Sequence, residues 1–150
     1  MEDLEPLIEM VTLILLSAYV KNVPKPDSLL IIAKPESGKT EVLKKFIANK
    51  NVAYLSDLTA FGIERDYLSK IESGEIRHII IPDLLKPLSR KESTVKTFIT
   101  MMNGLIEEGI GSVPTYASQR IAPKKAEHVK CGIITAITGE ELRDQRHNWG

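Results

Sequence analysis

The chain has 150 residues, about one domain's worth, and 43% of them fall in the hydrophobic set, enough to bury a core without covalent staples. Twenty basic residues balance twenty acidic ones, which argues against a wholly basic, nucleic-acid-coating protein while leaving room for a local basic patch. A single cysteine excludes an internal disulfide framework and an all-cysteine zinc site, and three scattered histidines argue against a metal cluster.

The N-terminus reads MEDLE, acidic where a secretory signal would be basic. The longest apolar stretch, Leu7 to Val20, contains Glu9 and covers only 14 residues, too few to cross a bilayer and suited to a buried helix. These features point to the cytoplasm and away from a membrane.

In chain order, residues 5–21 read as a helix, followed by the breaker segment Val23-Pro24-Lys25-Pro26-Asp27. Ser28 to Ala33 is a continuous apolar run of strand length, the kind expected where both faces of a strand are covered in a parallel sheet. Residues 39–49 read as a helix with Val42, Leu43, Phe46 and Ile47 on one face. Asn51 to Leu55 is a short second strand. Residues 63–73 form a helix with Ile63, Tyr67 and Ile71 at spacing four and Gly74 as its stop. Ile76 to Ile81 is a third apolar strand, with Pro82 at its end.

Ser89 and Glu92 have the spacing of a capping box, and Val95, Phe98, Ile99, Met102, Leu105 and Ile106 mark one face of a long helix that Gly109 ends. Residues 110–126 are irregular and have the length of a hairpin. Val129 to Ile137 is a fourth strand, and Thr138 with Glu141 forms a second capping box opening a last helix. The order β-α-β-α-β-α-β-α with apolar strands predicts an α/β fold: a parallel sheet between two helical layers with right-handed crossovers. Residues 1–27 read as an N-terminal helix and linker packing on a core of residues 28–150.

The most informative segment is Ala33-Lys34-Pro35-Glu36-Ser37-Gly38-Lys39-Thr40. It has the P-loop (Walker A) pattern with Ala at the first glycine position. A turn between strand and helix aims backbone N–H groups inward at an anion, and the start of the helix adds its dipole. Gly38 lets the backbone approach phosphate without a Cβ in the way. Lys39 brings a mobile positive charge to the β- and γ-phosphates, and Thr40 offers a hydroxyl to Mg²⁺. The segment from Ala33 through Pro35, Glu36, Ser37, Gly38, Lys39 and Thr40 to Glu41 is thus the expected nucleotide-binding segment, although Pro35 removes one potential donor.

A P-loop needs a carboxylate at the tip of another strand to hold the Mg²⁺ shell. Asp83, at the end of His78-Ile79-Ile80-Ile81-Pro82-Asp83, supplies one; a turn aspartate after a strand is the bland alternative. Many ATPases carry Asp-Glu here, with the Glu orienting the attacking water. In this chain Leu84 follows Asp83. Either Asp83 fills the metal position and the Glu is replaced by Leu84, or Pro82 stands at the metal position and Asp83 at the Glu position. In both registers one expected carboxylate is missing. Asp57 and Glu108 are the candidates for holding the water from elsewhere.

Together these segments resemble the AAA+ class of P-loop ATPases over residues 5–150. In that class the fourth strand ends in a polar sensor that reads the γ-phosphate, and Thr138 occupies that position after Cys131-Gly132-Ile133-Ile134-Thr135-Ala136-Ile137. Thr138 is also a good N-cap, and the two roles are compatible; Thr135, three residues back, is the alternative sensor. The 110–126 stretch is similar in placement to the hairpin of minichromosome-maintenance helicases and bacterial enhancer-binding activators. Leu58-Thr59-Ala60-Phe61-Gly62 is similar to a stretch near the second helix of those helicases. The AAA+ core continues into a fifth strand and a helical lid. This chain stops at Arg146-His147-Asn148-Trp149-Gly150, so the resemblance implies an incomplete module. Arg143 and Arg146 stand near the place of a trans-acting arginine; a solvated helix face is the other reading.

Tyr116, Arg120, Lys124 and Lys125 cluster in the hairpin stretch, where a basic loop with an aromatic residue contacts phosphate and stacks on a base, or is simply a polar loop. Lys44, Lys45 and Lys50 read as a solvated face. Cys131 and His78 read as buried structural side chains, and His128 and His147 carry no signal. What the resemblance implies is a Mg-ATP-dependent ATPase that oligomerises as a ring, with Lys39, Asp83 and Thr138 at the chemistry and Thr40 and Asp83 on the metal side. Its work would be remodelling or translocating nucleic acid, with DNA reached through the 110–126 hairpin. A non-hydrolysing nucleotide-gated scaffold and a small nucleotide or metabolite kinase are the alternatives.

Overall fold

Among the described residues four strands, all parallel, form one sheet in the order β1-β4-β3-β2: β1 is Leu29–Ala33, β2 Val52–Tyr54, β3 His78–Ile81 and β4 Gly132–Thr138. The structure, a computed structural model, describes residues 4–20, 26–34, 37–108, 130–141 and 143, the side chains of residues 107 and 108 excepted. The 110–126 stretch, Pro35, Glu36 and Arg146 lie outside the described residues.

Helices cover both faces. On one side, α1 (Glu5–Leu16), α2 (Lys39–Lys44) and the turn after α2 pack Val11, Leu15, Val42, Leu43 and Phe46 against Ile31, Ile80, Ile134 and Ala136. The other side carries the helical run α3 (Ala60–Gly62) and α4 (Leu68–Glu72), joined by a π-helical turn at Ile63–Tyr67. It also carries α5 (Leu85–Leu88) and α6 (Glu92–Asn103), the latter prolonged by a π turn at Gly104–Glu108. There Ile63, Ile71, Leu88, Val95, Phe98 and Leu105 meet Ile79, Ile81, Ile133 and Ile137. Period-two alternation along β3 and β4 divides the isoleucines between the two layers.

Several elements differ from their sequence expectations. The first helix ends at Leu16 and tightens into a 3₁₀ turn at Ser17–Tyr19, where the Ser17 hydroxyl donates to the Ile14 carbonyl. The helix after the loop stops at Lys44. Residues 45–47 close with i to i−3 bonds, which rotate Ile47 to the surface at 51% exposure while Phe46 stays buried. The second helical run begins earlier than expected, at Ala60, because the Thr59 hydroxyl accepts the Gly62 N–H as an N-cap. Gly74 stops α4 with φ +84, the left-handed backbone its sequence position suggests.

The Ser89/Glu92 capping box does not form. The Ser89 hydroxyl donates to the Leu85 carbonyl instead, and Lys91 precedes α6 without a side-chain cap. The Thr138/Glu141 box forms in full: Glu141 N–H donates to Thr138 Oγ1 and Thr138 N–H donates to Glu141 Oε1, each at 3.1 Å.

The expectation that β1 is covered on both faces is overturned. Leu30 and Ile32 are 39% and 54% exposed, whereas Ile79, Ile80 and Ile81 are fully buried. Among the described residues β1 pairs only with β4, and the α3 to α6 layer lies over β3 and β4 rather than over this edge. Cys131 is buried as expected, and burial pushes its thiol up to about 12. No helix among the described residues is long and apolar enough to cross a membrane.

Candidate functional site at the carboxyl edge of the sheet

In a parallel sheet every strand delivers its C-terminal end to the same edge, where ligands of open α/β sheets bind. Here that edge collects Lys34 and Ser37 to Thr40 after β1, Asp83 after β3 and Thr138 at the end of β4. The register brings them into line. Ala33 is paired with Thr138, and Ile81 with Thr135. The chain beyond β3 stays beside β4, since Leu84 N–H donates to the Ala136 carbonyl at 2.9 Å. Asp83 therefore lies two strand spacings from β1, roughly 10 Å at the usual spacing of about 4.8 Å.

Gly38 is the turn that starts α2. Its φ of +90 is left-handed, and a Cβ there would come within 2.9 Å of Leu4 Cδ1. The backbone conformation calls for glycine, while the Leu4 contact is with the flexible end of a side chain. No side chain caps α2, and its first backbone bond within the helix runs from Val42 N–H to the Gly38 carbonyl. The N–H groups of Lys39, Thr40 and Glu41 are thereby left for an outside acceptor. Ser37 Oγ is buried and has no hydrogen-bond partner. Leaving such a hydroxyl unpaired costs about 1–3 kcal/mol, and an anion cradled by the loop would satisfy it. The sequence pattern treats Ser37 as a variable loop position, so this hydroxyl stands out only once its burial is known. Glu41 contributes its N–H alone, because its carboxylate is exposed and 3.4 Å from Lys44 Nζ.

Asp83 is half-buried, and its Oδ1 accepts the Leu85 N–H at 3.0 Å. That bond fixes the carboxylate at the start of α5 and leaves Oδ2 for another partner. Pro82 is buried. Leu84 is 6% exposed and packs in the larger core cluster, so the position after Asp83 is a packing position.

Thr138 and Thr135 are separated by their surroundings. Thr135 is buried and its hydroxyl donates to the Ile81 carbonyl at 2.7 Å, pinning β3 to β4. Thr138 shares its parity with Ile134 and Ala136, which face α1 and α2, and so lies on the side where α2 begins. Its oxygen accepts from Glu141 while its own O–H remains a donor. Asp57 does not stand alone: Arg90 reaches it at 2.6 Å in a part-exposed pair. Arg143 is exposed. The Glu108 side chain lies outside those described.

Among the described residues no group of three or more His, Cys, Asp or Glu side chains is placed to hold a metal ion. A Mg²⁺ held through a phosphate loop asks less of the protein, one hydroxyl and one carboxylate beside the phosphates themselves; Thr40, which opens α2, and Asp83, which follows β3, are residues of those two types at the same edge of the sheet. No family model matches the chain, and no curated protein or solved structure matches it.

Proposed function

We propose that the protein is a P-loop ATPase core of the AAA+ type, coupling Mg-ATP hydrolysis to remodelling or translocation of nucleic acid. The observation that carries the reading is the lateral order of the carboxyl edge: an uncapped glycine turn with an orphaned hydroxyl after β1, Thr138 paired with Ala33, and Asp83 one strand further.

In this reading the Ser37 hydroxyl and the N–H groups of Gly38 to Glu41 receive the phosphate oxygens. Lys39 neutralises charge on the β- and γ-phosphates. Thr40 and Asp83 hold the Mg²⁺ shell, and the ion when bound offsets charge developing across the bridging oxygen. Thr138 donates its O–H toward the γ-phosphate, in a position its capping bond to Glu141 holds still. Placement and charge compensation of this kind make up most of phosphoryl-transfer catalysis. A partner copy would supply the arginine, and the 110–126 segment would supply the nucleic-acid contact.

One observation favours a second reading, a nucleotide-gated scaffold that does not hydrolyse ATP. Leu84 is built into the core, so the carboxylate that usually orients water has no place there. Phosphate release from Mg-ATP, measured with and without single- and double-stranded DNA and with Lys39→Ala as the control, tests the pair. DNA-stimulated turnover abolished by Lys39→Ala supports the motor. ATP binding without turnover under every condition removes the motor and leaves the scaffold.

A further inference from the structure

The opposite, N-terminal edge of the sheet carries a cavity that the nucleotide reading does not use. It lies between the end of α1, the turn before β2 and the start of β3, with a volume of about 170 Å³. An apolar cavity of about 150 Å³ is known to accept benzene, so this one is of the size for a single small ring or a short branched chain.

Its walls are of two kinds. Leu15, Leu16 and Val52 are among its apolar lining residues, and Lys50 and Arg77 are the two basic residues among those described that line it. None of the described residues lining it is Asp or Glu. Neither Lys50 nor Arg77 takes part in any of the ion pairs among the described residues. Burial holds the neighbouring His78 below the usual histidine range, so that ring adds no third charge near neutral pH.

The frame around the cavity is tied by Asn51. This residue adopts a left-handed φ of 63, and its backbone carbonyl accepts from both Arg77 N–H and His78 N–H, at 2.8 and 3.1 Å. Its side-chain oxygen accepts from the Tyr19 hydroxyl, and its Nδ2 donates to the Glu75 carbonyl at 2.9 Å. One residue, through its backbone carbonyl and its side chain together, therefore joins the turn after α1, the entry to β2 and the entry to β3. A pocket held this way loses little freedom when it is filled. At its mouth Leu16 and Tyr19 are more than half exposed, apolar surface that an occupant would cover.

We propose that this cavity is a second binding site, distinct from the phosphate loop, for a small organic monocarboxylate of about benzoate size. The apolar body packs against Leu15, Leu16 and Val52. The carboxylate takes the Arg77 guanidinium, whose paired N–H groups match its two oxygens, with Lys50 as the second charge. The site depends on neither ATP nor the phosphate loop.

The test is a titration of the full chain with benzoate, followed by amide chemical shifts in two-dimensional NMR. Benzamide serves as the neutral isostere and inorganic phosphate as the anion without an apolar body. The expected result is saturable shifts around Asn51, Arg77 and His78 at millimolar benzoate or below. Benzamide and phosphate should each bind at least about tenfold more weakly, the scale of one charge-assisted hydrogen bond. Arg77→Gln should weaken benzoate by about the same factor, and Lys39→Ala should leave it unchanged. Leu16→Asp, a change at an exposed position that sets a carboxylate at the mouth, should abolish binding even where Arg77→Gln folds poorly. The proposal is overturned by shifts that do not saturate, by benzamide or phosphate binding as well as benzoate, or by benzoate affinity that survives Leu16→Asp.

Discussion

Thr138 is the register partner of Ala33, so the last residue of β4 stands beside the last residue of β1. Its oxygen caps the helical turn at residues 139–141, and under the proposed function its O–H is a donor toward the phosphates.

Removing that hydroxyl separates the two. Thr138→Val should lose the capping contribution, about 1 kcal/mol of stability, and, under the proposed ATPase function, lower ATP turnover by at least about tenfold while changing ATP affinity little. Thr138→Ser should retain both. Urea unfolding and steady-state phosphate release report the two effects. Equal loss of turnover in Thr138→Ser and Thr138→Val would show that the hydroxyl is not the relevant group.

Two glycines differ in what a methyl group would meet. At Gly132 a Cβ would lie 2.4 Å from the Asp27 carbonyl oxygen and 2.6 Å from the His78 ring, so Gly132→Ala should cost about 3 kcal/mol or prevent folding. At Gly38 the first obstacle is the flexible end of Leu4. Gly38→Ala should therefore cost mainly the left-handed backbone, about 1–2 kcal/mol, and should weaken ATP binding. Unfolding midpoints rank the two, and nucleotide affinity of the folded Gly38→Ala protein checks the second effect.

His78 is buried, its Nε2 is 3.0 Å from the Asp27 carbonyl, and its pKa is lowered. Burial is the main cause; the Arg77 charge acts in the same direction and the Asp27 carbonyl opposes it. The unfolded chain takes a proton at this site near the ordinary value of 6.5, while the folded chain resists it. Unfolded protein then binds more protons, so the contribution is flat above that pH and stability falls as pH drops below it, levelling only under the folded-state pKa. Unfolding midpoints from about pH 8 to about pH 5 should show this fall, and His78→Gln, which keeps a donor, should reduce it. An unchanged slope in His78→Gln would place the pH dependence elsewhere.

The β1 and β3 strands test how burial divides apolar residues of similar appearance. Ile80 is fully buried between layers, and Ile80→Ala should cost about 3–4 kcal/mol. Ile32 is 54% exposed on the outer face of β1, and Ile32→Ala should cost within about 1 kcal/mol. Comparable losses at both sites, read from chemical denaturation, would mean that the outer face of β1 is covered in solution.

Much of this architecture is legible in single segments. An isoleucine-rich strand followed by Pro-Asp, read from the sequence as Ile76 to Ile81 and found at His78–Ile81, a glycine turn ahead of Lys-Thr, and Thr138 three residues before Glu141 are local patterns whose geometry follows from backbone periodicity and capping chemistry. Ser89 and Glu92 show where that reasoning fails. Their spacing suits a cap, but a helical turn just upstream offers the Ser89 hydroxyl the Leu85 carbonyl instead. Ile47 fails in the same way, because a tightened turn changed the angular step on which its inward placement depended.

The amino-acid sequence by itself determined the alternation of strands and helices and the position of the phosphate-loop pattern, since both rest on interactions within a few residues. Only the tertiary structure decided that β4 lies between β1 and β3, which sets Thr138 beside Ala33 and Asp83 one strand beyond. It also decided that Leu30 and Ile32 on one face of β1 are exposed, that Ser37 carries an unmet hydroxyl, and that Asn51 stands with Lys50 and Arg77 around a cavity at the far edge. Strand neighbours and register are chosen by long-range burial summed over the whole core, and no local pattern encodes that sum.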